Sequence, residues 1–207
     1  MMLDVDRIIE THADITAGLP GNRGLGHLTR AGVLLLCAAW ELYVEEVLVE
    51  SVEKIIERAG SPDDLPQSVK LAISDYIRKS KHQLKPLAMA GNGWETIYKE
   101  IALEWVTALN TPKKHNIDSG FNAIVGISDL SDCWSLGPEV VNTFVGVRGD
   151  VAHRGADIGN IRIGQLRDTY KPNICTCASE MDNRLTNFIR EIFRDHPLAW
   201  NRRNLDD

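Results

Sequence analysis

The chain has 207 residues, with 23 Lys and Arg against 29 Asp and Glu, a formal net charge of −6; 43% of its residues are hydrophobic and 25% charged. Those fractions sit near the globular averages and exclude a disordered chain, and the length suits one compact domain. The acidic balance argues against a general nucleic-acid binder, because phosphate contacts are made by Lys and Arg.

Met2 to about Ala17 reads as a short amphipathic helix with Leu3, Val5, Ile8, Ile9, Ala13 and Ile15 as its apolar face, stopped by Gly18-Leu-Pro-Gly21. A long helix follows from about Leu25 to Ala59. Its seam is Leu28, Ala31, Leu35, Ala38, Leu42, Val49, Val52 and Ile56, three or four residues apart. Val33 to Trp40 is apolar on every side, the mark of a helix buried around its circumference. Gly60-Ser-Pro62 ends it. A third helix is expected over Leu65 to about Ser80 and a fourth over Trp94 to Leu109, broken at Thr111-Pro112. Residues 110–136 are the least regular stretch. Pro138 suits a first helical turn, so Gly137 to His153 is a fifth helix with Val140, Val141, Phe144, Val147 and Val151 inward, closed by Gly155. The last helix covers about Pro172 to Phe193 on the seam Ile174, Cys177, Met181, Leu185, Phe188 and Ile192. No repeat and no sustained strand alternation is present. The reading is all-α: one domain over 1–207, an antiparallel bundle of long helices with its core at about 2–193 and a charged tail at 197–207.

The longest apolar run, Ala31 to Trp40, is far short of the ~20 residues of a membrane helix. Asp4, Asp6 and Arg7 interrupt any signal-peptide apolar region. Cys37 lies in the apolar run as a small core residue, and Cys175 and Cys177 lack a second Cys or His pair at metal spacing. A cytoplasmic protein with reduced thiols, no membrane contact, no metal and no cofactor is expected.

Three constellations carry possible chemistry. Glu41 is the only charge between Val33 and Val44. Either helix rotation puts it at the rim beside Glu45, or it has an Arg or His partner that offsets the cost of burial. Arg148 and His153 lie five apart near a helix end, about 7.5 Å along the axis and about 140° in rotation. Convergence on one phosphate therefore needs a long Arg reach, an unwound last turn or a second copy of the motif. The third is a basic stretch, Lys70 to Lys85: between Leu65 and Trp94 five basic residues face one acid, a local net of +4. Such a run is a solvated face or half of a phosphate track, with Lys79, Lys81 and Lys85 as its RNA-binding candidates. Dinucleotide-binding, phosphate-loop, zinc-protease and serine-hydrolase motifs are absent.

Arg148-Gly-Asp-Val-Ala-His153-Arg-Gly155 resembles the Arg-x4-6-His motif of the HEPN superfamily. The segment Leu34-Leu-Leu-Cys-Ala-Ala-Trp-Glu-Leu-Tyr43, with Glu41 inside it, resembles the second-helix signature of the RiboL-PSP-like and related prokaryotic branches. The resemblance covers roughly Met2 to Phe193. It implies an α-helical bundle that usually dimerises, and in many members a metal-independent endoribonuclease of toxin–antitoxin, phage-defence or RNA-processing systems. By position, His153 would be general base or acid at the ribose 2′-hydroxyl or the leaving oxygen, and Arg148 would hold the scissile phosphate. Glu41 would orient Arg148 or His153, and Arg154 would contact RNA. Gly149 stands where the family often has Asn, so Asp150 would supply the polar contact. Gly155 stands where related toxins carry a tyrosine, so nucleotidylation there is not expected. The implied partners are RNA, a second copy of the chain and an antitoxin or other defence protein.

A non-catalytic HEPN module for dimerisation or for nucleotide or RNA binding in a larger system is the other reading. The overall acidity does not decide between them. Met1 to Asp64 holds five basic residues against twelve acidic ones, a net of −7, which leaves +1 for the rest. Around the motif, Arg148 to Lys171 carries a local +2, enough for a small positive cleft taking a few nucleotides.

Overall fold

The computed structural model describes residues 1–17, 24–154 and 161–204, and of residues 152–154 the backbone alone. Helices account for the architecture: α1 (Met2–Thr16), α2 (Gly26–Ile56), α3 (Gln67–Lys79), α4 (Gly93–Ala108), α5 (Lys114–Ile124), α6 (Glu139–Arg154), the short α7 (Ile163–Gln165) and α8 (Lys171–Ile192). No strand occurs among the described residues, so the chain is an all-α bundle. The turn expected at Gly18–Gly21 and the closing Gly155 lie outside the described residues.

The long α2 is the axis. It packs against α1, α4, α5, α6 and α8, while α3 packs on α4 and α5. Its buried stripe is Val33, Leu36, Cys37, Trp40, Val44, Val47, Leu48, Val52 and Ile55. This corrects the expected seam, which was turned about one residue away; of it only Val52 is fully buried. The expectation of burial around the whole circumference from Val33 to Trp40 also fails, since Leu34 is 38% exposed and Leu35, Ala38 and Ala39 are only partly buried. A helix that is apolar on all sides leaves its facing to its neighbours. On α1 only Val5 is fully buried, and Leu3, Ala13 and Ile15 face outward rather than into the core.

Close helix contact is bought by small residues at two places. A Cβ on Gly32 of α2 would stand 2.4 Å from Leu166, and one on Gly120 of α5 would enter the Trp105 indole at 2.1 Å. Within the irregular 110–136 stretch, α5 is a full helix, followed by a 3₁₀ turn, Leu130–Cys133. Buried polar groups pin the elements: Trp40 Nε1 donates to the Pro112 carbonyl at 2.9 Å, and Tyr43 Oη to the Ala178 carbonyl at 2.7 Å.

The closing helix begins earlier than Pro172. A π turn, Leu166–Tyr170, runs from α7 into α8. Pro172 has no N–H and its ring crowds the carbonyl four residues back, and the wider turn before it relieves that crowding. The segment after α8 is more than a charged tail. Trp200 Nε1 donates to the Asp182 carbonyl at 3.1 Å, and Arg203 pairs with the Asp182 carboxylate at 2.9 Å. The packed structure therefore continues past Phe193 to Arg203.

Candidate functional site

Arg148 falls on the apolar stripe of α6. Val141, Phe144, Val145 and Val151 are buried on that helix, and Arg148 lies seven residues after Val141 and four after Phe144, so helical spacing turns it inward. Glu41 sits on the flank of the α2 stripe, four residues after the buried Cys37. Packing of α6 on α2 brings the two together: Arg148 Nη2 is 3.9 Å from Glu41 Oε2, with 41% of the Arg side chain and 22% of the Glu side chain exposed. Both sequence readings of Glu41 are thus met in part, since it is at the rim and it has an arginine partner. Because the pair is at the surface, neither charge carries the full cost of burial.

The contact is a charge contact. At 3.9 Å it is beyond hydrogen-bond reach, so it does not consume the guanidinium N–H fork. A planar fork of that kind suits bidentate contact with a phosphate. Beneath the pair lies the Cys37 thiol, 1% exposed. Burial pushes its pKa up to about 11, with the Arg148 charge pulling the other way and Glu41 adding to the rise. Glu45 is also held above the ordinary carboxylate value, first by burial and then by Glu41 and Glu46.

The α2 backbone under Glu41 is fixed from several sides. Trp40 stacks on Tyr43 at 5.6 Å and packs on Trp134 at 6.0 Å. Its indole is held by Pro112, and Tyr43 Oη also reaches Asp182 Oδ1 at 2.9 Å. These anchors fix the stretch of α2 backbone that carries Glu41. Sequence reasoning missed them because each is a long-range pairing of a core aromatic with a backbone carbonyl or a carboxylate.

His153 and Arg154 occupy the last turn of α6, and their side chains lie outside the described residues. On the helical register His153 is about 140° from Arg148 and about 7.5 Å along the axis, on the face that also carries Gly146 and Gly149. Among the described residues nothing lies within 4 Å of a Cβ placed on either glycine, so the backbone at these two positions is uncovered by them. Asp150 is exposed on the outer side of the same turn.

Several lysines are held by contacts of their own. Lys114 Nζ is bound to Asp118 at 2.8 Å and Ser131 at 2.7 Å, a structural knot that raises the lysine pKa through the Asp118 hydrogen bond. Lys113 precedes the first turn of α5. Lys79 and Lys81 are exposed at the end of α3, and Lys85 is paired with Glu100 at 2.7 Å beneath α4. α3 meets the end of α5, where Pro66 covers Gly126, and α6 meets its start, where Asn142 accepts from the Lys114 N–H. α3 thus packs on α4 and α5, whereas Arg148 lies where α6 packs on α2. Among the described residues no group of three or more His, Cys, Asp or Glu is placed to hold a metal ion, and no helix is long and apolar enough to cross a membrane.

No curated protein and no solved structure matches the chain. A family model does, described as RiboL-PSP-HEPN, over residues 3–187. That span takes in α1 to α6 and most of α8, including the α2–α6 contact on which Glu41 and Arg148 meet. HEPN domains are often ribonucleases or nucleotide-binding modules, and often bind RNA and dimerise. With nine-tenths of its length matched and the all-α bundle in place, the chain belongs to the RiboL-PSP-HEPN family of the HEPN superfamily.

Proposed function

We propose that the protein is a metal-independent endoribonuclease acting in a toxin, phage-defence or RNA-processing role. The observation that carries this reading is the Glu41–Arg148 contact. It holds a guanidinium at the open edge between α2 and α6 with its N–H groups unspent, in the same helical segment as His153. Arg148 contacts the scissile phosphate and the charge that develops on it. His153 moves the proton at the 2′-hydroxyl or at the leaving 5′-oxygen. Glu41 is a positioning residue for Arg148. Asp150 and Arg154 flank the reacting groups. The reaction joins the 2′-oxygen to phosphorus as the bond to the 5′-oxygen breaks, leaving a 2′,3′-cyclic phosphate and a 5′-hydroxyl.

A two-fold dimer through this face supplies the convergence one helix lacks. Arg148 of one protomer and His153 of the other can approach one phosphate although each pair is splayed by about 140° on its own helix. Exposed Leu34 and Leu42 flank Glu41 on α2, and the bare backbone at Gly146 and Gly149 admits close approach. The test is RNA incubated in EDTA with wild type, Arg148→Ala and His153→Ala. Cleavage by wild type alone, ending in cyclic phosphate, supports the assignment; equal cleavage by all three, or none by wild type, removes it. In the second case a stable dimer that binds but does not cut RNA leaves the non-catalytic reading.

A further inference from the structure

A second surface lies along α3, which packs on α4 and α5. Between the 3₁₀ turn Pro62–Asp64, α3 and the turn ending at Met89 lies an open groove of about 480 Å³. Its floor is Leu65, Ile73, Ile77 and Met89, and its rim carries Lys70 and Arg78 beside Asp63. Ligand-sized sites run from about 300 to 1,000 Å³, but this one is open along its length. The turn that ends at Met89 also exposes Leu84 at 61% and Leu87 at 69%.

The rim keeps a small excess of positive charge, Lys70, Arg78 and Lys79 against Asp63 and Asp75. Lys70 Nζ donates to the Asp63 backbone carbonyl at 2.6 Å, which leaves its charge uncompensated by that bond. Arg78 and Lys79 share the one carboxylate of Asp75, and Lys81 is exposed beside them. In a chain of net charge −6, residues 62–89 that build the groove carry five basic residues against Asp63, Asp64 and Asp75, a local net of +2.

The spacing of the rim specifies what fits. Lys70 and Arg78 are eight residues apart on one face of α3, about 12 Å along its axis. A partner helix laid along the groove meets them with carboxylates at i and i+7 or i+8, and reaches the floor with apolar residues at i+3 and i+4. Nucleic acid suits the groove less well. Single strands bind by stacking bases on aromatic side chains, and none of the described residues lining the floor or rim is aromatic. We propose that this groove docks an acidic amphipathic helix of a partner protein, with its apolar residues on Leu65, Ile73, Ile77 and Met89 and its carboxylates on Lys70 and Arg78.

The test is a display selection of random sixteen-residue peptides on the full-length protein. Enriched peptides are then titrated by fluorescence anisotropy against wild type, Lys70→Glu/Arg78→Glu, and Ser74→Trp, which fills the groove from an exposed position. Circular dichroism and thermal unfolding confirm that both variants fold. The expected result is enrichment of peptides with two acids seven or eight residues apart around an apolar pair. Their affinity falls at least tenfold in each variant and weakens with salt. Failure to enrich, or enriched peptides that bind all three proteins equally, overturns the proposal. A single-stranded RNA ten-mer that binds with the same dependence on Lys70 and Arg78 and displaces the peptides also overturns it, by making the surface a nucleic-acid one.

Discussion

Replacing Glu41 by Gln removes one charge and leaves the side chain almost isosteric, so it separates positioning from folding. Unit charges 3.9 Å apart attract by about 1 kcal/mol in water and about 4 kcal/mol at the effective dielectric of a protein surface. With Arg148 41% and Glu41 22% exposed, the net contribution to folding belongs with exposed pairs, about 1 kcal/mol or less. For a chain of this length that moves Tm by roughly 2–4 °C at most. The effect on chemistry is larger if Glu41 holds the phosphate-binding fork, because small misplacements of a reacting group cost up to about a hundredfold. Glu41→Gln is therefore expected to lower kcat about 10- to 100-fold with little change in KM or Tm. Arg148→Ala should lower kcat/KM at least about a hundredfold, the scale of losing one transition-state donor. The double variant Glu41→Gln/Arg148→Ala should be no worse than Arg148→Ala alone, since a positioning residue has nothing left to position. Initial rates on a fluorescence-quenched RNA in EDTA, beside thermal unfolding of each variant, supply all the quantities. Additive losses in the double variant, or an activity loss in Glu41→Gln that merely tracks its Tm, refute the positioning role.

Gly149→Ala should raise thermal stability by about 1 kcal/mol, the helix-propensity difference, because its Cβ meets nothing within 4 Å among the described residues. If RNA or a second copy uses that bare backbone, cleavage or dimerisation falls as Tm rises, and a gain in both removes the close-approach argument. Trp40→Phe loses the buried bond to the Pro112 carbonyl and should cost about 1–3 kcal/mol in urea unfolding; an unchanged midpoint would show that the indole bond does not hold the loop to α2. Burial holds the Cys37 thiol up to about 11 and Cys177 up to about 12. Between pH 9 and 11 the folded chain keeps protons that the unfolded chain releases, so stability falls as pH rises through that window, by up to about 1.4 kcal/mol per pH unit for each thiol. Urea unfolding from pH 8 to 10.5 checks the slope, which Cys177→Ala should reduce. Leu42→Glu places a charge on the exposed apolar edge of α2 and should shift a dimer to monomer in sedimentation at micromolar concentration; an unchanged dimer would put the interface elsewhere.

Periodicity and punctuation are local properties of a chain, and what rests on them was legible from the residues. The bounds of α1, α2, α3, α4 and α6 fall within a few residues of the expected ones, and the α8 stripe Ile174, Cys177, Met181 and Leu185 is buried as its spacing requires. Arg148 and His153 could be singled out by type and spacing, and Glu41 as the lone charge in an apolar run. The facing of α2 could not be read, because a helix apolar all round shows no preferred side until its neighbours choose one. The π turn ahead of Pro172 answers a crowding that arises only once α7 and α8 form one continuous helical run. The strap at 199–203 depends on Asp182, which serves Tyr43, Trp200 and Arg203 at once from elements distant in sequence. The contact between Glu41 and Arg148 is of the same kind. The two residues are more than a hundred positions apart, and only the packing of α6 along α2 sets the 3.9 Å between them. Spacing along a helix selects which residues share its face, whereas the partner of that face is set by the close packing of the whole bundle.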